Sequence, residues 1–225
     1  MTDIKIDRIV RSKRRTLALH ITPDASLIIR APLRMPLDFI EKFVHKKRSW
    51  VQKKQKIIRL RLGELTPKQF VNGERFLYLG NAYHLTILEN DPIPISFNQG
   101  FYLSREHLGR AKELFIRWYK KEAAVKIKER LDWVASSREF TYNKIKITNA
   151  QKRWGSCTSC NNLNFSWRLV LAPLEIIDYV VSHELTHLLE RNHSRRFWKK
   201  LSSLFPGFKQ CRIWLRENEH LLNIF

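Results

Sequence analysis

Residues 182–198 read Ser-His-Glu-Leu-Thr-His-Leu-Leu-Glu-Arg-Asn-His-Ser-Arg-Arg-Phe-Trp, a run that contains His-Glu-x-x-His. The spacing of Ile176, Ile177, Val180, Val181, Leu185 and Leu188 predicts that the five-residue pattern lies on an apolar helix. One helical turn separates His183 from His187 on the same face, so both rings can direct a nitrogen at one ion at roughly 2.0–2.1 Å. Glu184 is rotated off that axis. It stands beside such an ion rather than in line with it, which suits a carboxylate that takes a proton from water activated there. The chemistry indicated is metal-assisted hydrolysis.

A catalytic zinc site needs a third protein ligand and one open position. His193 follows His187 by six residues, a distance that works if the helix stops and the chain turns back. Asn192 tolerates the left-handed conformation of a helix stop, and Ser194 can cap the next helix. Glu190, three residues after His187, is either a supporting residue behind the ion or a rival ligand. Glu217 and Glu219 are further rivals. Three neutral imidazoles suit one Zn2+ per chain. The metzincin pattern has similar histidine spacing but requires a downstream methionine turn, and Met1 and Met35 both lie upstream. His20, His45, His84, His107 and His220 have no comparable geometry and are expected to be ordinary surface or core residues.

Upstream, Arg153 and Trp154 admit two readings. They line the cleft, with Arg153 holding a developing oxyanion, or Trp154 packs under the active helix and Arg153 sits in a structural ion pair. Cys157 and Cys160 form a lone C-x-x-C. With only Cys211 besides, a structural zinc site lacks ligands, so free thiols are expected, with a redox pair or accessory metal as alternatives. Three cysteines in all fit a reducing compartment and, with no signal-peptide pattern at the N-terminus, a cytoplasmic protein.

These residues need elements to hold them. The chain has 225 residues, 44% hydrophobic and 12% aromatic, enough for one good core or two small ones and too apolar for global disorder. No apolar run approaches a membrane span. Net charge is +21, and residues 1–60 hold 16 Lys and Arg against 5 Asp and Glu, about half of that excess in a quarter of the chain. Such a field favours polyanions.

Strands are predicted over 4–10, 15–21 and 27–31, then a long basic helix opening at Pro36 with Ile40, Phe43, Trp50, Val51 and Ile57 as its stripe. Asn72-Gly73, Gly80-Asn81 and Asn98-Gln99-Gly100 mark hairpins. A helix follows over 106–136, with Leu108, Leu114, Phe115, Trp118, Val125, Leu131 and Trp133 as core contacts. Strands over 144–148 and 163–168, the active helix from Pro173 to about residue 191, and helices over 194–204 and 209–222 complete the pattern.

Three blocks give the chain a family resemblance: Arg153-Trp154-Gly155-Ser156-Cys157, then Trp167-Arg168-Leu169 leading to Ala172-Pro173, then His183-Glu184 through His187 to Asn192-His193-Ser194 and Phe197-Trp198. Together with Arg14-Arg15-Thr16-Leu17 and Arg30-Ala31-Pro32, they resemble the YgjP-like metallopeptidases, relatives of the WLM and SprT-like zincins. The resemblance implies a zincin-type catalytic half with His183, His187 and His193 on zinc and Glu184 as base. Thr158-Ser159-Cys160-Asn161-Asn162 departs from the serines and glycine usual after Cys157 and alters that turn.

The expectation is therefore an α+β fold. An N-terminal β-rich basic subdomain over 1–104 precedes a zincin-like catalytic domain over 105–225, with the active-site helix packed on a small sheet whose strand 163–168 is expected to be the edge that receives an extended polypeptide substrate. The expected activity is that of a zinc metallopeptidase. Two alternatives stand beside it: a metal-dependent nucleoside triphosphate pyrophosphohydrolase, and a nucleic-acid-associated binding protein. In the second, Lys42, Lys46, Lys47, Arg48, Lys53, Lys54 and Lys56 grip phosphates without sequence preference.

Overall fold

A computed structural model of the chain describes residues 4–22, 24–64, 67–136 and 140–225, with the side chains of residues 56, 57 and 59–64 outside the description. The fold is α+β, and the chain forms two compact units, Met1–Thr66 and Pro67–Phe225.

In the first unit, β1 (Arg8–Ser12), β2 (Ala18–Ile21) and β3 (Leu27–Pro32) form a sheet in the order β1-β3-β2, with β1 parallel and β2 antiparallel to β3. Alternation puts Leu27, Ile29 and Ala31 of the central strand into the core. They pack with Ile40 and Val44 of α1 (Leu37–Lys46) and Val51 of α2 (Arg48–Glu64). Pro36 caps α1 rather than opening it. The single long helix expected here is two helices parted at Lys47, where no proline or glycine marks a break. The buried stripe also differs: Val44 belongs to it and Trp50 is 45% exposed. The side chains of Lys56 and Ile57 lie outside the described residues.

The second unit opens with β4 (Arg75–Tyr78), β5 (Asn81–Leu88), β6 (Ile95–Phe97) and β7 (Phe101–Ser104), a sheet in the order β4-β5-β7-β6. Leu79 and Gly80 turn the β4–β5 hairpin with both φ angles positive, +48° and +81°. That turn is docked onto the segment leading into the active helix: Leu79 N–H donates to Val170 O at 2.8 Å and Gly80 N–H to Leu171 O at 3.2 Å. A Cβ on Gly80 would lie 2.7 Å from Pro173 Cγ and 2.9 Å from its Cα, so only glycine allows the approach. This docking is why the units part at 66/67 and not near residue 104, where the sequence suggested a boundary. The hairpins belong to the unit that carries the histidines.

α3 (Ala111–Ala135) buries Leu114, Phe115, Tyr119, Ala123, Ile127 and Leu131 in a core shared with Phe76, Phe101, Phe165 and Trp167. Val125 and Trp133, expected inside, are 54% and 59% exposed, while Tyr119 and Ile127 take the inward stripe. The last sheet joins β8 (Ile145–Thr148), β9 (Gly155–Cys157) and β10 (Leu163–Ser166) in the order β8-β10-β9. β10 is therefore the central strand, not the edge expected for it, because β8 covers one side and β9 the other. The edges belong to β8 and β9. α4 (Leu174–Leu189), α5 (Arg195–Leu204) and α6 (Phe208–Asn218) complete the unit. Among the described residues, no helix is long and apolar enough to cross a membrane.

Candidate metal centre

Pro173 caps α4 with an extended backbone, and Ile176, Ile177, Val180, Val181 and Leu185 sink one side of the helix into the core. About one turn from its start, Asp178 receives Arg130 of α3 in a two-pronged pair, Nε–Oδ1 at 2.5 Å and Nη2–Oδ2 at 2.9 Å, with both side chains largely buried. The helix is thus fixed in rotation, and its second half carries His183, Glu184 and His187 in a set direction.

α4 ends at Leu189, and Glu190 is already extended. The chain returns through Asn192 to Ser194, whose hydroxyl accepts the Phe197 N–H at 3.3 Å and caps α5. The Trp198 indole N–H donates to His193 O at 3.1 Å and holds that residue in place. The return brings His193 to the other two histidines. One donor nitrogen from each of His183, His187 and His193 lies within 4.8 Å of the others, the one such convergent group among the described residues. Nε2 of His193 and Nε2 of His183 are 3.0 Å apart, close to the ~3.3 Å between two nitrogens on one tetrahedral ion at ~2.05 Å. Phe197 is fully buried, with its ring 4.6–5.0 Å from all three imidazole centroids. It forms a floor that keeps the rings converged.

The donor set fits a borderline-soft divalent ion. His187 Nδ1 lies 3.1 Å from Glu190 O. A carbonyl only accepts, so that nitrogen carries the proton and Nε2 keeps its lone pair. Burial, then the neighbouring His187 and His193, push His183 down to about 3, and burial lowers His187 too, so both rings stay neutral as ligands must be. Glu190 adds only that carbonyl to the site; its carboxylate is turned to Lys200 Nζ at 3.1 Å. Glu217 and Glu219, at the end of α6 and just beyond it, supply no donor to the convergent group.

Glu184 is 4% exposed, and burial raises its carboxyl to about 8. Its Oε2 has no hydrogen-bond partner. Such an orphaned buried oxygen is the feature expected where a cation or a reacting group completes the site. The carboxylate is confined by Gly155 of β9, where a Cβ would lie 2.5 Å from Glu184 Oε1 and 2.6 Å from its Cγ. The edge strand therefore passes directly over the residue beside the histidines. Along β9, Trp154 O accepts from Ser166 N and Thr158 N donates to Asn162 O. By the antiparallel alternation, Gly155 and Cys157 turn their N–H and C=O groups away from β10, toward the outer side of this edge strand.

Arg153 and Trp154 lie just before this strand. Arg153 is exposed and Trp154 half-buried against the core, and both line a cleft of about 240 Å3 with Lys146, Gly155, Ser156 and Asn164. Cys157 and Cys160 are free thiols. Burial raises Cys157 above its ordinary value. The contribution of Arg191 was not foreseen. From the connection between His187 and His193 it donates to Cys157 Sγ at 3.3 Å, to the carbonyls of Thr158 and Ser159 at 2.7 and 3.3 Å, and to Asn161 Oδ1. One guanidinium thus ties the histidine-bearing turn to the turn that ends β9. Arg212 of α6 was missed as well; it lies 5.1 Å over the Trp198 ring, and its charge bears on His183. Neither arginine sits in a spacing pattern that sequence could flag.

The model of the YgjP-like metallopeptidase domain matches residues 15–218, most of the chain. A solved structure, that of the metallopeptidase zymogen of Methanocaldococcus jannaschii jannalysin, is similar at 20% identity with a TM-score of 0.36, covering 41% of this chain and 95% of that one. No curated protein matches.

Proposed function

The chain belongs to the YgjP-like metallopeptidase family, and on that premise we propose that it hydrolyses peptide bonds with one zinc ion held by His183, His187 and His193 and with Glu184 as general base. The observation that carries this reading is the convergence of three neutral imidazoles next to a buried carboxylate with an unsatisfied oxygen. Zinc, when bound, supplies Lewis acidity to a carbonyl oxygen and to the attacking water.

The remaining work falls to the chain. The N–H and C=O groups of Gly155 and Cys157 pair with an extended substrate backbone and lay the scissile bond across the histidines. Glu184 accepts a proton from water as it attacks the carbonyl carbon, then returns it to the amine nitrogen as the C–N bond breaks. Gly155 keeps that carboxylate in one place. Arg191 holds the end of β9 against the histidine-bearing turn, so substrate and base stay in register.

The test joins metal content to turnover on one preparation. Native protein should hold about one zinc per chain, and His193→Ala should lose it as fully as His187→Ala. Glu184→Gln, which keeps the shape but accepts no proton, should retain zinc and fold while hydrolysis of a peptide library falls by about 10²–10⁴-fold. Wild-type turnover in Glu184→Gln would remove the base assignment. Zinc-dependent cleavage of nucleoside triphosphates with peptides untouched would replace the substrate class.

A further inference from the structure

The Met1–Thr66 unit holds 17 Lys and Arg against 6 Asp and Glu, a net of +11 in 66 residues. Its acids are few and partly committed. Asp7 accepts the Leu27 N–H at 2.7 Å, and Asp24 accepts the Ser26 hydroxyl at 2.6 Å. Lysines alone would make only a solvated face. The unit adds something a solvated face does not need: large aromatic and aliphatic side chains left in water among those cations. Leu33, Leu37 and Phe39 are more than half exposed and Trp50 is 45% exposed.

Phe39 and Phe43 lie one turn apart on α1, on a face next to the buried Ile40 and Val44. Phe43, Lys47 and Trp50 follow at helical spacing across the α1–α2 junction and lie together along one groove of about 270 Å3, with Leu17, Ala18 and Leu19 as its other wall. Among the described residues, no carboxylate lines it. The opposite wall is the start of β2, an edge strand, with Arg14 and Arg15 a short way before it in the chain.

Aromatic faces inside a cationic concavity are of no use to an intact duplex, whose bases are stacked and whose outer surface is phosphate. They suit a strand whose bases are free to turn outward and stack. We propose that the Met1–Thr66 unit binds a single strand of nucleic acid in the groove between β2 and the α1–α2 junction, with bases stacked on Trp50 and Phe43 and phosphates held by Lys47 and the flanking lysines and arginines. Charge complementarity selects this occupant over an apolar peptide, and the lack of any base-edge reading motif makes the binding indifferent to sequence. The inference is independent of the catalytic assignment.

The experiment uses the full chain with its metal and a fluorescent 20-nucleotide oligo(dT), an oligo(rU) of the same length, and the matching duplex. Anisotropy at ~50 mM salt should show single strands bound at least tenfold more tightly than duplex. Affinity should fall with salt at a log–log slope of about −0.7 per phosphate contacted. Trp50→Ala should weaken single-strand binding about tenfold or more while Trp50→Phe, which keeps a stacking face, retains most of it. Zinc content and peptide turnover should be unmoved in both variants, which reports that they are folded. His187→Ala should bind the oligonucleotide as the native chain does, so loss of catalysis and loss of binding are read separately. Equal affinity for duplex and single strand overturns the proposal, as does unchanged binding by Trp50→Ala, and so does poly-glutamate displacing the oligonucleotide at equal charge concentration.

Discussion

The two units of this chain use charge in opposite ways. In Pro67–Phe225 the charged groups that matter are removed from water and fixed: Arg130 on Asp178, Glu184 under Gly155, and imidazoles kept neutral by burial. In Met1–Thr66 the described Lys and Arg side chains stand mostly in water around a core of six buried aliphatic residues. A charge in a low-dielectric pocket acts strongly at one point and is lost by a displacement of an ångström. A charge in water acts weakly at each point, sums over many, and tolerates movement. Chemistry and attachment therefore fail under different substitutions, and that difference can be tested.

The largest effect is expected at Gly155. A methyl group there meets the Glu184 carboxylate, the free end of a side chain, so the chain can accommodate it by moving Glu184 rather than backbone. Gly155→Ala should leave metal content and the thermal midpoint near native while hydrolysis falls by about the 10²–10⁴-fold of losing the base itself. Oligonucleotide binding should not change. Activity within twofold of native would mean that Glu184 has room to spare and that the close packing of this unit is not what its chemistry requires.

Gly155 also marks how far the sequence could be read. His183, Glu184, His187 and His193 were legible because helical periodicity and a short return loop fix their relation locally. Nothing local announces why residue 155 must be glycine; the constraint comes from Glu184 of α4, 29 residues away in sequence, which the edge strand crosses. Arg191 and Phe197 share that character, being ordinary residue types given meaning by what the fold lays against them. The exposed Val125 and Trp133 on α3 show the converse, since a long helix offers several apolar stripes and only packing chooses among them. The edge assigned to residues 163–168 missed for a similar reason. A three-residue strand such as β9 is too short for a periodic signal, so its pairing on the outer side of residues 163–166 could not be seen.

A second effect, in stability rather than rate, is expected at the buried pair. Asp178→Asn leaves the Arg130 guanidinium largely buried without its countercharge, and breaking such a pair costs about 3–5 kcal/mol. Chemical denaturation followed by near-ultraviolet signals of the aromatic core should show that loss. Because the pair lies outside Met1–Thr66, oligonucleotide binding should survive at denaturant concentrations that abolish peptide hydrolysis. Simultaneous loss of both would show that the two units unfold as one and would remove the distinction drawn between them. A loss below ~1 kcal/mol would place the pair among ordinary surface bridges.

The smallest effect is a slope. With metal removed by a chelator, His183 takes up a proton only near pH 3 in the folded chain, against an ordinary value of 6.5. The unfolded chain then binds the extra proton between those values, and stability falls as pH drops through that window. Glu184 behaves in reverse. Folded, it keeps its proton up to about pH 8, against an ordinary 4.5, so stability falls as pH rises between those values. From pH 4.5 to 6.5 the two oppose each other. From 6.5 to 8 only Glu184 remains, and the metal-free chain should lose stability with rising pH, by at most about 1.4 kcal/mol per unit. Glu184→Gln has no such proton, so its denaturation midpoint should be flatter over that interval by the same amount. In the Met1–Thr66 unit the one described group with a shifted acidity is the fully exposed Asp24, lowered chiefly by the Ser26 hydroxyl, and it acts only in acid. The oligonucleotide affinities of the native chain and of Glu184→Gln should therefore follow the same course from pH 6.5 to 8 at constant ionic strength. If Glu184→Gln keeps the native slope, the proton belongs to another group and the carboxylate is already ionised without metal. If the two affinities diverge with pH as the two stabilities do, the two ways of using charge are not separable in this chain.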